Sequence, residues 1–170
     1  FFPPGLQWYW KGDFVREIGE EAVAQHVKHG KALPTMHSTM HLYPVDGAVH
    51  RVGSKDTAWN YRDITWSQVI VGVDPDPANN ERTMSWAREY WEALHPYSAG
   101  AAYINFMMEE TPDRIRATYR GNYERLVKVK KKYDPTNLFH VNQNIRPDDD
   151  ETKDRSIGRE EAAQGYSEHP

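Results

Sequence analysis

"RGNYERLVKVKKKYDPTNLFHVNQNI", residues 120–145, opens as a basic run, stops at Asp134-Pro135 and closes on a cluster of amides. Tyr123, Leu126, Val127 and Lys130 follow Tyr119 along one side at helical spacing, which predicts a helix with one buried face. The Asp-Pro pair ends it, and "LFHVNQNI" reads as a short strand. Upstream, "YINF", residues 103–106, lies within "AAYINFMM", which predicts another strand. On a strand Tyr103 and Asn105 share one face, while Ile104 and Phe106 share the other. A phenol beside a carboxamide can orient a ring cofactor or take a proton from an alcohol. On spacing alone, a Tyr and an Asn two apart are more often structural.

Working outward, "TPDRI" supplies Thr111 as a cap and Pro112 at the first helical position. "NNERTMSWAREYWEALHP" predicts a helix with Met84, Ala87, Trp91 and Leu94 on one stripe, stopped before Pro96. "TAWNYRDITWSQVIVGV" is rich in β-branched and aromatic residues and predicts one or two strands ended by "DPDP". "MHSTMHLY" has period two, with His37, Thr39, His41 and Tyr43 on one face. "PVDG" turns the chain, and "AVHRVG" begins another extended piece. Towards the start, "GDFVREIGEEAVAQHVKHGK" places Phe14, Ile18, Ala22, Val23 and Val27 at helical spacing, with Asp13 as N-cap and Gly30 as stop. The sum is an α+β layer, mostly antiparallel strands covered by helices.

The chain has 170 residues, enough for one domain with a real core. Its aromatic share of 12 %, including 6 Trp and 10 Tyr, suits pocket walls and interfaces as well as a core. The stretch from 147 to 170 carries 8 acidic and 3 basic residues, a composition that predicts a solvated, disordered end. Against −4 for the whole chain, residues 1–146 are left at a net +1, which argues against nucleic acid as a partner. No apolar run reaches the ~18 residues of a membrane span, and no targeting signal opens the chain. Nothing in the sequence fixes the compartment, and the cytoplasm is favoured by default. The opening "FFPPGLQWYW" lacks an initiator Met and reads as the interior of a longer protein.

With no Cys there is no disulfide, thiolate metal site or Cys nucleophile. His26 and His29 stand at helical spacing, but zinc needs three or four ligands, so no metal site is assigned. His37 and His41, with Thr39 and Tyr43, form either one wall of a polar cavity or a solvent-facing strand surface. No Gly-x-Gly occurs, so neither a dinucleotide fingerprint nor a P-loop is present. A dinucleotide cofactor would have to be held at its phosphates by residues outside this chain. Lys128, Lys130, Lys131 and Lys132 read as a solvated face.

In order, "VHRVG", "YINF" and "NYERLVKVKKKYDPTNLFHVNQNI" resemble the C-terminal portion of berberine bridge enzyme-like FAD-linked oxidases, bacterial members especially. These belong to the vanillyl-alcohol oxidase/p-cresol methylhydroxylase superfamily. The resemblance runs from about residue 34 to 147 and is strongest over 96–146. It implies a two-domain flavoprotein that oxidises an alcohol or similar C–H donor by hydride transfer to flavin N5. Residues 1–110 would then be the later part of the substrate domain. Residues 111–146 would be a segment that returns to pack on an FAD-binding domain lying outside this chain. The resemblance implies that Asn60 orients a small-molecule substrate, that Tyr103 and Asn105 face the flavin, and that Asn142 and Gln143 help close the cofactor site. The fourth position of the "YINF" motif is Tyr or His in several relatives and Phe106 here, which leaves Tyr103 as the base. A rival reading is a stand-alone binding or structural module without flavin.

Overall fold

The computed structural model describes residues 3–108 and 110–148. The expectation of a disordered acidic end therefore falls almost wholly outside the described residues.

Three strands, β1 (Gln7–Val15), β2 (Thr39–Pro44) and β3 (Trp66–Asp74), form a sheet in the order β1–β3–β2, antiparallel throughout. Central β3 is buried on both faces, which is why "SQVIVGV" reads as a continuous apolar run rather than an alternation. The helices are α1 (Glu20–Gly30), the single turn α2 (Ala48–Arg51), α3 (Asn80–Leu94), α4 (Pro112–Tyr119) and α5 (Tyr123–Tyr133). This is an α+β fold with helices laid on an antiparallel sheet. No helix among the described residues is long and apolar enough to cross a membrane.

α1 and α3 cover the sheet face that carries Ile70, Tyr9 and Met40, packing Ala22 against Trp86, Ala87, Tyr90 and Leu94. The opposite face carries Val69, Val71 and Val73, with Trp10 and Phe106 packed on them. A β carbon on Gly72 would sit 2.5 Å from the Thr83 carbonyl oxygen, so α3 rides directly on the β3 backbone. A third cluster joins Phe14, Val45, Tyr61, Ile64 and Ala101.

Several local expectations change. Residues 13–15 are strand, not helix: Phe14 N–H donates to the Ala101 carbonyl at 2.6 Å and its own carbonyl accepts from Ala99 at 2.7 Å. α1 begins after Gly19, and Asp13, expected as its cap, is a wholly buried residue of β1. β2 starts at Thr39 because Ser38 bonds the Val73 backbone N–H through its hydroxyl instead of its main chain. "AVHR" coils into α2 after Gly47, whose φ of 58° turns the chain. The buried stripe of α3 is Thr83, Trp86, Ala87, Tyr90 and Leu94, because α1 draws Trp86 and Tyr90 inward and leaves Met84 and Trp91 half-buried. Residues 103–106 are not a strand either, since Ile104–Phe106 form one 3₁₀ turn, and "LFHVNQNI" has no strand pairing. The Thr111 cap and Pro112 start of α4 are as expected.

Between α1 and α3, His26 Nδ1 lies 2.8 Å from the Tyr90 hydroxyl and the His29 ring stacks on Tyr90 at 5.0 Å. Burial pushes the Tyr90 phenol up to about 12 and both imidazoles below their ordinary value of 6.5. A base with a lowered folded pKa binds fewer protons folded than unfolded, so stability is lost as pH falls below the unfolded value of 6.5 and levels off once the folded pKa is passed.

Two outcomes follow. Gly72→Ala should cost at least about 1–3 kcal/mol in urea unfolding, because the clash is with backbone that cannot rotate away; an unchanged midpoint would contradict this packing. Stability should also fall as pH drops below 6.5, and His26→Gln should flatten part of that slope. A pH profile identical in the variant would show that His26 is not the titrating group.

Candidate functional site

The Ile104–Phe106 turn, rather than strand alternation, brings Tyr103 and Asn105 together. Phe106 N–H closes the turn on the Tyr103 carbonyl at 2.7 Å, and Asn105 Nδ2 then donates to the Tyr103 phenol oxygen at 2.7 Å. With its oxygen accepting from Asn105, the phenol keeps its proton free for another acceptor. The Tyr103 ring is held between Trp59 and Phe106, each with ring centres 5.1 Å away. Phe106 is itself seated by Gly12, where an added β carbon would come within 3.2 Å of Phe106 Cβ and of its carbonyl oxygen.

Two hollows open on either side of Ile104, which lines both. The larger, about 640 Å³, takes Asn105, Asn142 and Gln143 into its wall, with Trp10 and Met108 opposite. The smaller, about 230 Å³, takes Tyr103 and Asn60, surrounded by Phe14, Trp59, Tyr61 and Tyr119. Asn105, Asn142 and Gln143, expected at the cofactor, share one hollow, whereas Tyr103, expected to face the flavin beside Asn105, lines the other with Asn60, and the Tyr103–Asn105 hydrogen bond joins the two.

The amide cluster is placed by α5 and its ending. Lys130 Nζ reaches the Asp134 carboxylate at 2.5 Å, and that carboxylate accepts the backbone N–H groups of Leu138 and Phe139 at 2.7 and 3.0 Å. The Lys130 ammonium holds the Asp134 carboxyl below the usual carboxylate range against the opposing effect of desolvation, and the two N–H groups add to this. Asn137 and Asn142 then turn the chain at φ of 55° and 58°, conformations that asparagine tolerates better than most residues. Gln143 returns to donate to the carbonyls of Met107 and Met108 at 2.6 and 2.8 Å. It stitches the end of the chain to the strip that follows Phe106.

Sequence reading missed Trp10, Met108 and Glu110 on the larger hollow. Glu110 pairs with Lys11 at 2.7 Å and with Arg114 Nε at 3.3 Å. Arg114 continues to the buried Asp13 at 2.9 Å, whose other oxygen lies 2.9 Å from His95 Nδ1. Lys11 and Arg114 both stand over the Trp91 ring, at 5.2 and 4.9 Å. The Glu110/Arg114 spacing of four was the available signal. His41 stacks on Tyr43, which touches Phe106 at 5.3 Å, but neither His37 nor His41 lines the two hollows. His26 and His29 lie between α1 and α3 around Tyr90.

The larger hollow suits the ring end of a flavin. Its amides offer both donors and acceptors, and Trp10 on its wall has a buried indole N–H without a partner. No Gly-rich cradle for a pyrophosphate is present in the sequence.

Residues 102–146 match the family model "Berberine and berberine like". An uncharacterised FAD-linked oxidoreductase of Bacillus subtilis (strain 168) is 28% identical over 137 residues, 80% of this chain and 30% of its own length. The aclacinomycin-N/aclacinomycin-A oxidase of Streptomyces galilaeus is 26% identical over 156 residues, 81% of this chain and 29% of its own. Among solved structures, a berberine bridge enzyme-like protein of Arabidopsis thaliana superimposes with TM-score 0.72 at 23% identity, covering 84% of this chain and 34% of that one. A glycopeptide hexose oxidase complexed with teicoplanin gives TM-score 0.73 at 22% identity, covering 84% and 33%. Residues 102–146 thus carry the berberine-like signature, the chain shares the fold of the corresponding part of those solved structures, and it spans about a third of the length of such relatives.

Gln143→Ala should free residues 138–145 without unfolding the sheet. Limited proteolysis there should accelerate while global stability falls by only about 1 kcal/mol per hydrogen bond lost. Unchanged cleavage would mean that the stitch holds nothing.

Proposed function

We propose that this chain is the substrate-facing part of an FAD-dependent oxidoreductase whose longer form oxidises an alcohol or similar C–H donor. The observation that carries this reading is the Tyr103–Asn105 pair at the partition between the two hollows, set beside the amides of the C-terminal segment. The names of the relatives, FAD-linked oxidoreductases and oxidases, agree with it.

A bound flavin supplies the hydride acceptor at N5. Tyr103 acts as general base from its phenolate form, its own phenolic proton having first passed to solvent, and takes the proton of the donor's hydroxyl, since Phe106 has no group to do so. Asn105 holds the Tyr103 phenol oxygen in place by its 2.7 Å donation. Asn60 cannot take a proton, so it orients the substrate. Asn105 and Asn142 present amides to the cofactor side, and Gln143 keeps that wall closed through its bonds to Met107 and Met108.

In this reading residues 1–110 belong to the substrate domain and 111–146 return to an FAD-binding domain. Support for such docking comes from Leu138, Phe139 and Val141, which are 70%, 76% and 77% exposed on one short stretch. Apolar side chains on that scale mark an interaction surface, and a domain interface covers on the order of 600 Å² or more.

In the longer protein, Tyr103→Phe keeps the ring between Trp59 and Phe106 but removes the hydroxyl. Rapid-reaction flavin reduction should slow by about 10²–10⁴-fold, with FAD content unchanged. Reduction at the parent rate would make Tyr103 a wall and not a base. Purified longer protein without flavin would instead favour a binding module.

A further inference from the structure

We propose that the outward face of α1 is a self-association surface, on which a second copy of this chain docks antiparallel about a two-fold axis.

The helix has two faces. Ala22 packs with Trp86, Ala87, Tyr90 and Leu94, and His26 and His29 both meet Tyr90, so that side of α1 is turned to α3. At 3.6 residues per turn the opposite side carries Glu20, Ala24, Val27 and the cap residue Lys31, with Val23 next to them. All five are exposed, Val23 at 47% and Val27 at 49%. β-branched residues are among the weaker helix formers and gain nothing from solvent. Two of them on the outer stripe of an eleven-residue helix mark a face to be covered. Leu33 and Met36 follow in the chain, 48% and 99% exposed, and extend the apolar supply past the helix end.

Charge decides what covers it. Glu20 and Glu21 stand in the first turn, Lys28 in the last turn and Lys31 at the cap. The helix dipole favours that order within one helix, but it does not call for valines between the charges. A stripe that runs acid, apolar, base is its own complement when reversed. Antiparallel pairing about an axis near the middle of α1 sets Ala24 against Val27 of the second copy, Glu20 beside its Lys31 and Glu21 beside its Lys28. Each contact then occurs twice, as an isologous interface requires. A wholly acidic or wholly basic partner would match one end of the stripe and repel the other. Ala24 keeps the crossing small, so the axes can approach to about 8 Å.

Eleven residues make a contact only about 16 Å long. Its area falls below the ~1,200 Å² of a stable complex, so the pairing is weak, with half the chains paired on the order of 0.1–1 mM. α1 lines neither hollow and covers the sheet face opposite Trp10 and Phe106. The pairing therefore stands independently of the flavoenzyme reading.

The test uses the 170-residue chain, followed by amide NMR and sedimentation equilibrium. Raising the concentration towards about 1 mM should shift residues 20–36 along a dimerisation isotherm. Salt at about 0.5 M should weaken the association roughly threefold or more. Two charge-swapped chains then separate this surface from any other. Glu20→Lys with Glu21→Lys leaves α1 wholly basic, and Lys28→Glu with Lys31→Glu leaves it wholly acidic. Neither should self-associate through α1, whereas an equal mixture should restore saturable shifts over residues 20–36. Shifts confined to 138–141, none at α1 by about 1 mM, or swapped chains that still pair through α1 on their own would overturn the proposal. So would a mixture that fails to pair while both chains are folded by circular dichroism. If a swapped chain is unfolded, a mixture of isotope-labelled and unlabelled parent decides alone. Contacts from Ala24 of one copy to Val27 of the other support the pairing, and their absence at about 1 mM ends it.

Discussion

A carboxylate with no solvent exposure holds the site together. Asp13 lies wholly inside, on β1, with Arg114 on one oxygen and His95 Nδ1 on the other, each at 2.9 Å. Burying a carboxylate costs several kcal/mol unless it is paired and hydrogen-bonded, so these partners are obligatory. His95 follows the end of α3, and Arg114 stands in the first turn of α4. The segment between them, which carries Tyr103, Asn105, Phe106 and Glu110, is therefore suspended from one carboxylate at both ends. Arg114 also donates to the Gly12 carbonyl at 2.6 Å, and Phe14 exchanges backbone bonds with Ala99 and Ala101. Three consecutive residues of β1 thus grip the loop that bears the candidate chemistry.

Within that loop the placement of rings follows from one missing side chain. Gly12 lets Phe106 lie on the sheet backbone, and Phe106 in turn stands edge-on to Tyr103. The tight turn needed to reach that seat is what swings Asn105 under the Tyr103 hydroxyl. Ile104, at the head of the same turn, is left pointing between the two hollows as their partition. One 3₁₀ turn sets the phenol, the amide and the wall together. A strand at this place would have separated Ile104 and Phe106 from the other two by sheet thickness.

The α+β class, the antiparallel sheet, β3, α3, the Thr111 cap and α5 were legible because periodicity and capping chemistry report local structure directly. The first strand was not. Residues 14–27 carry apolar spacing that fits a helix, yet Phe14 is claimed by β3 and by the backbone of Ala99 and Ala101, long-range partners that no local window contains. Asp13 looked like a cap for the same reason: a polar residue ahead of a helical pattern is usually exposed, and only the arrival of Arg114 and His95 makes it buryable. At the site, five residues singled out from the sequence do line the two hollows, but the argument from strand alternation did not place them. Tyr103 and Asn105 meet through a turn, and Asn142 and Gln143 through two left-handed asparagines. Trp10 and Glu110 were invisible because their role depends on which strand face and which loop come together.

The C-terminal motif shows why its residue types belong to this path and not to a strand. Asp134 must accept from Leu138, Phe139 and Lys130 at once, which a carboxylate can do and an amide cannot without loss of charge. Asn137 and Asn142 must adopt positive φ, which β-branched residues resist. Gln143 must span to two adjacent carbonyls, which needs a primary amide with two N–H donors. Each position thus asks for the residue it has, and the result is a short return path ending on the strip beside Tyr103. Leu138, Phe139 and Val141 remain on the outside of that path, with no inward partner to bury them. The inward residues close a hollow while the outward ones leave an apolar edge exposed, so the same short path both shapes the candidate site and carries an exposed apolar surface.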